Sequence, residues 1–141
     1  MIYKFDQYDV YSQGIFDQYD AVFLSGGDTE QFWNKLVQTH THQALQEFVK
    51  RWGVLIGVSA GSMIMMSHIL LSNEKTLWLG LIPGYFHPHY DINDLEKLLL
   101  LSREKYSNML YCLSDDSYLE IDGTEQKIYG AHTLIQHGTI L

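Results

Sequence analysis

The sequence predicts an α/β chain with a mostly parallel sheet flanked by helices. Three observations carry the prediction. VLIGV at 54–58 is apolar without alternation, the pattern of a strand buried on both faces. Segments with helical spacing follow the strand-like runs in a strand, helix, strand, helix order. Glycines close segments, as Gly26-Gly27 do after AVFLS and Gly53 does after a helix.

In chain order, IYKF (2–5) reads as a short strand and AVFLS (21–25) as a stronger one. DTEQFWNKLVQ (28–38) reads as a helix that Asp28 or Thr29 can cap, with Glu30 in the first turn, where the helix dipole favours an acid. After the polar break THTH, QALQEFVKRW (43–52) continues as a helix and stops at Gly53. The strand VLIGV follows, and AGSMIMMSHILL (60–71) has helical length and composition. GLIPGYFHPHYD (80–91) is irregular and holds both prolines, while INDLEKLLLLSREKY (92–106) is a helix with Asn93 near its start. SYLEID (117–122), KIYG and TLIQHGTIL read as strands and tight turns of a terminal hairpin region. No repeat, low-complexity tract or linker divides the chain, so residues 1–141 are expected to form a single domain.

The chain has 17 acidic and 9 basic residues in 141, a formal net charge of -8. That sign repels phosphate backbones, so nucleic acid is not an expected partner. Nor is a membrane: no apolar stretch approaches the roughly 18 residues of a spanning helix, and MIYKFDQYD is no signal peptide. The expected location is cytoplasmic. The single cysteine, Cys112, lies in the apolar context MLYCL and reads as a buried structural thiol.

Gly57-Val58-Ser59-Ala60-Gly61 fits G-x-S-x-G. At glycine and serine frequencies of about 7%, the pattern arises by chance in roughly one chain of this length in twenty. Its context is more telling, because a strand precedes Ser59 and a helix follows, as at a nucleophile elbow. A sharp turn brings the two backbones together, and a side chain at either glycine would clash. Ser62, further into the helix, reads as structural.

A serine nucleophile needs a base, and the histidines are His40, His42, His68, His87, His89, His132 and His137. His68 sits in an apolar run and reads as packed, while His40 and His42 lie in a polar break and are expected to face solvent. His87 and His89 flank Pro88 in a loop after a strand, where catalytic side chains tend to sit. Asp115 and Asp116 in SDDS offer an orienting carboxylate. "HPH" places two imidazoles together, yet no third ligand at a recognised metal spacing accompanies them, so no metal or other cofactor is expected.

Four blocks, YDAVFLSGGDTEQFW, IGVSAGSMIM, LGLIPGYFHPHYD and LSDDSYLEIDG, together resemble the dipeptidase E / cyanophycinase family of serine peptidases over residues 18–125. The resemblance implies a class I glutamine amidotransferase-like fold, a flavodoxin-like three-layer arrangement. It also implies hydrolysis of peptide bonds after aspartate in small peptides. By the same resemblance Ser59 is the nucleophile, His89 the general base and Asp115 the third member, with Asp116 as its alternate. The backbone N–H groups of Gly27 and Ala60 form the oxyanion hole, with Gly26 and Asp28 as neighbours. Family members often carry glutamate at the third position, where this chain has aspartate. Nothing marks Arg51, Arg103, Lys75 or a second histidine as the group that selects aspartate.

Family members begin with a further βα unit, whereas this chain starts at what reads as the second strand, IYKF. The fold is therefore expected to be N-terminally shortened, with an unpaired apolar sheet edge. A second copy covering that edge, in a homodimer, is the expected partner besides a small peptide substrate. The alternatives are a truncated, inactive chain or one completed by a separate partner. A second enzyme reading is an α/β-hydrolase esterase with Ser59, Asp115 and His132 as its triad.

Overall fold

The computed structural model describes residues 14–68, 78–104 and 108–141. The strand expected at 2–5 lies outside the described residues. The chain is α/β and forms two compact units, Met1–Ile64 and Met65–Leu141.

In the first unit, β1 (Ala21–Leu24) pairs in parallel with β2 (Val54–Gly57), Phe23 facing Ile56 and Leu24 facing Gly57. Between them run α1 (Thr29–Gln38) and α2 (Thr41–Lys50). Asp28 caps α1 by accepting a 2.8 Å hydrogen bond from the Gln31 N–H, the predicted cap. The helices turn Trp33, Leu36, Leu45 and Phe48 inward. A Cβ at Gly53 would stand 2.4 Å from the Phe48 ring, so only glycine lets the chain pass there into β2.

Two expectations fail in this unit. VLIGV is not buried on both faces: Val54, Ile56 and Val58 are 56%, 45% and 47% exposed, and Phe23 of β1 is 62% exposed. The helices cover only the side of Val22 and Leu24, so one face of this strand pair stays open. The helix expected at 60–71 is α3 (Ala60–Met63), four residues long. Met66 is already extended and bridges Ile82 in parallel, and residues 69–71 lie outside the described residues. Met66 buries its side chain against Tyr111 and Leu113, an apolar gain that offsets the shortened helix.

The second unit is built around a strand that the sequence reading missed. β3 (Tyr85–His87) pairs in parallel with β4 (Leu110–Leu113). On its other side β4 pairs antiparallel with β7 (His132–Gln136), which pairs with β8 (Thr139–Ile140). β5 (Tyr118–Asp122) and β6 (Glu125–Tyr129) form a separate antiparallel hairpin. All four residues of β4 are buried. Leu110 and Cys112 pack with Tyr85, Leu98 and Ile135, whereas Tyr111 and Leu113 pack with Met66 on the opposite face. The predicted helix at 92–106 is a 3-10 turn, Ile92–Asp94, leading into α4 (Leu95–Glu104). Asp91 supplies its cap, accepting from the Asn93 N–H at 2.8 Å. Among the described residues no helix is long and apolar enough to cross a membrane.

Candidate active site

Each residue singled out for catalysis lies just past the carboxyl end of a parallel strand. Ser59 is two residues beyond β2, His89 two beyond β3 and Asp115 two beyond β4, while Gly26 is two beyond β1. Open α/β sheets bind ligands outside the carboxyl ends of their strands.

The elbow is shaped by close backbone approach. Val58 N–H still bonds Leu24 O at 3.0 Å, and the chain then reverses through Ser59, whose φ of 52° and ψ of -114° are rare for a side-chain-bearing residue. A Cβ at Gly61 would stand 2.1 Å from Leu24 O, so the second glycine of the motif is the contact surface between α3 and β1. A Cβ at Gly26 would stand 3.3 Å from Ser59 Cβ and 3.8 Å from its Oγ, which places the Gly26-Gly27 turn beside the hydroxyl. Gly27, at φ 140°, holds a conformation that side chains rarely adopt. The Ser59 side chain does not cap α3. With four residues α3 carries little macrodipole, so any help to an oxyanion comes from individual N–H groups.

In the second unit His89 takes a φ of 57° after Pro88. Its Nδ1 lies 2.5 Å from Asp115 Oδ1, and both side chains are largely exposed. A proton on Nδ1, donated to the carboxylate, makes Nε2 the basic nitrogen. Asp115 stands in a tight turn closed by the Ser117 N–H on Ser114 O at 3.1 Å and by Ser117 Oγ on the same carbonyl at 2.7 Å. Ser114 Oγ also donates to Ala131 O at 3.1 Å, tying the turn to the approach of β7. A Cβ at Gly130 would stand 2.6 Å from Asp116 O. SDDS, which the sequence offers as the source of an orienting carboxylate, is braced as a turn by its two serines and Gly130, and the spacing of those serines is the signal for it.

Four other histidines make contacts elsewhere in the fold. His132 Nδ1 meets Gly130 O at 2.9 Å, while Asp115 meets His89, an arrangement that does not favour the Ser59–Asp115–His132 esterase reading. His68 Nδ1 meets Ser67 Oγ at 2.7 Å and its ring lies against Tyr85, as a packed histidine should. His42 does not simply face solvent: its Nδ1 meets Leu36 O at 3.1 Å and its ring packs edge-on to Trp33. His87 is half-buried, 3.5 Å from Asp94. Cys112 is fully buried, and burial, with Asp94 adding to it, pushes its thiol up to about 12.

The sequence model of peptidase family S51 matches residues 10–129. The chain belongs to peptidase family S51. A Peptidase E of Streptomyces coelicolor is 30% identical over an 81-residue alignment that covers 52% of this chain and 33% of that protein. A crystal structure from Listeria monocytogenes EGD-e, designated a candidate Peptidase E, superposes with a TM-score of 0.66 at 22% identity. That match covers 81% of this chain and 61% of the other. The S51 chain thus shares the peptidase E fold while spanning about a third of the curated relative and under two thirds of the solved one.

Proposed function

We propose that this S51 chain is a serine peptidase that hydrolyses the bond after aspartate in small peptides. The hydrogen bond from His89 Nδ1 to Asp115 Oδ1 carries the reading, because it prepares one imidazole as a base in a chain that also holds an elbow serine. In the reaction Ser59 Oγ attacks the scissile carbonyl carbon and His89 Nε2 takes the hydroxyl proton. Asp115 fixes the tautomer and stabilises the imidazolium. The N–H groups of Gly27 and Ala60 receive the oxyanion, each such donor being worth about 2.7–4 kcal/mol. Collapse of the tetrahedral adduct breaks the C–N bond, and His89 returns its proton to the departing amine. Water, deprotonated by His89, then releases the acyl group and restores Ser59.

The test is turnover of aspartyl dipeptides alongside labelling by a fluorophosphonate, with the modified residue mapped by mass spectrometry. Ser59 is the expected site, and Ser59→Ala is expected to lose labelling and up to roughly 10⁶-fold of turnover, as in other triads. Turnover that survives in Ser59→Ala sinks the proposal.

A further inference from the structure

Ser62 Oγ donates a 2.7 Å hydrogen bond to Gly57 O, five residues earlier. A serine inside a helix ordinarily returns its hydroxyl to a carbonyl three or four residues back, on its own helix. Here the acceptor belongs to the last residue of β2, which pairs with Leu24 at the end of the ladder. The bond therefore joins two elements and spans the reversal at Ser59.

We infer that Ser62 is a positioning residue for Ser59, a role that rests on the reading of Ser59 as nucleophile. The backbone at Ser59 sits in a sparsely populated region and persists only where its surroundings over-determine it. Backbone bonds within the turn, such as Gly61 N–H on Val58 O at 2.9 Å, are joined by three restraints that tie it to its surroundings. Val58 N–H holds Leu24 O at 3.0 Å before the turn. Gly61 packs on the same carbonyl after the turn, with no room for a Cβ. The Ser62 hydroxyl then pulls the first turn of α3 back onto the strand end. Met63 Sδ, which accepts from Thr29 Oγ1 at 3.7 Å, anchors that turn to α1 but does not reach Gly57. Ser62 is thus the side chain that closes the elbow on itself. Losing one net hydrogen bond shifts such an equilibrium by up to about tenfold. The populated fraction of the strained geometry, and with it the rate of attack, should fall by that factor.

The experiment compares Ser62→Val with Ser62→Thr, two side chains of one shape that differ in the hydroxyl, with Ser59→Ala as control. In Ser62→Val the rate constant for fluorophosphonate labelling of Ser59 should fall about five- to tenfold, with kcat on aspartyl dipeptides falling alike and KM unchanged. Ser62→Thr should restore both to within about twofold. Amide hydrogen exchange at residues 59–63 should quicken about tenfold in Ser62→Val and not in Ser62→Thr. Equal exchange and equal labelling in the two variants overturn the inference. If the parent chain is never labelled at Ser59, the peptidase reading fails, and the exchange comparison still decides whether Ser62 holds the elbow.

Discussion

His89 Nδ1 and Asp115 Oδ1 stand 2.5 Å apart because β3 and β4 are neighbours in parallel register. His87 lies opposite Cys112, so two residues on from His87 and three on from Cys112 the imidazole and the carboxylate meet at one end of the pair. The contact supports Asp115, rather than Asp116, as the third member of the proposed triad. Asp115→Asn should leave a folded chain whose His89 holds the wrong tautomer, and turnover should fall by about 10⁴, the loss known for the equivalent change in a serine protease. Asp116→Asn, as a surface change, should stay within about twofold of the parent. Steady-state kinetics of the two variants check both statements, and the reverse ranking would assign Asp116 the role.

The elbow glycines should differ sharply from the turn glycine of the β5–β6 hairpin. Gly61→Ala pushes a methyl group into Leu24 O, so it should destabilise by about 3 kcal/mol or more, the upper end of overpacking costs. Gly123→Ala meets nothing within 4 Å and bears only the penalty of its φ of 59°, about 1–2 kcal/mol. Urea denaturation with equal m-values measures the difference.

Cys112 should be silent toward maleimide in the native chain at pH 8 and react once the chain is unfolded. The folded thiol is raised from an ordinary 9.0 to about 12, so the native state holds its proton where the unfolded state has released it. Its contribution to stability is therefore fully present below pH 9 and declines as the pH rises towards 12. Labelling at graded urea, and melting temperatures between pH 8 and 11, test the two halves of this statement.

Tyr118 and Tyr129 face each other across the β5–β6 hairpin, with ring centroids 4.6 Å apart and planes within 16°. The pair should couple by about 0.5–1.5 kcal/mol in a double-mutant cycle of Tyr118→Ala and Tyr129→Ala. Purely additive losses would mean that the stacked rings contribute area alone.

The elbow Gly57–Gly61, the Asp28 cap and the helices at 29–38 and 41–50 were legible in the chain, because each rests on steric and capping rules acting within a few residues. Ser59, His89 and Asp115 were singled out as candidates by local patterns and given their expected roles by family resemblance. The residues of SDDS alone do not separate Asp115 from Asp116, and only the resemblance ranked Asp115 first; in the fold it is Asp115 that His89 meets. β4 was not legible, because its run LYCL suits a buried strand or a helix segment equally until β3 and β7 flank it. The shortness of α3 and the exposure of Val54 and Ile56 are likewise set by partners distant in sequence. Met66 bonds and packs with Ile82 and β4, and helices cover one side of the β1–β2 pair alone. Local sterics wrote the turns and caps into the sequence; long-range pairing and burial chose among the patterns that local rules left equal.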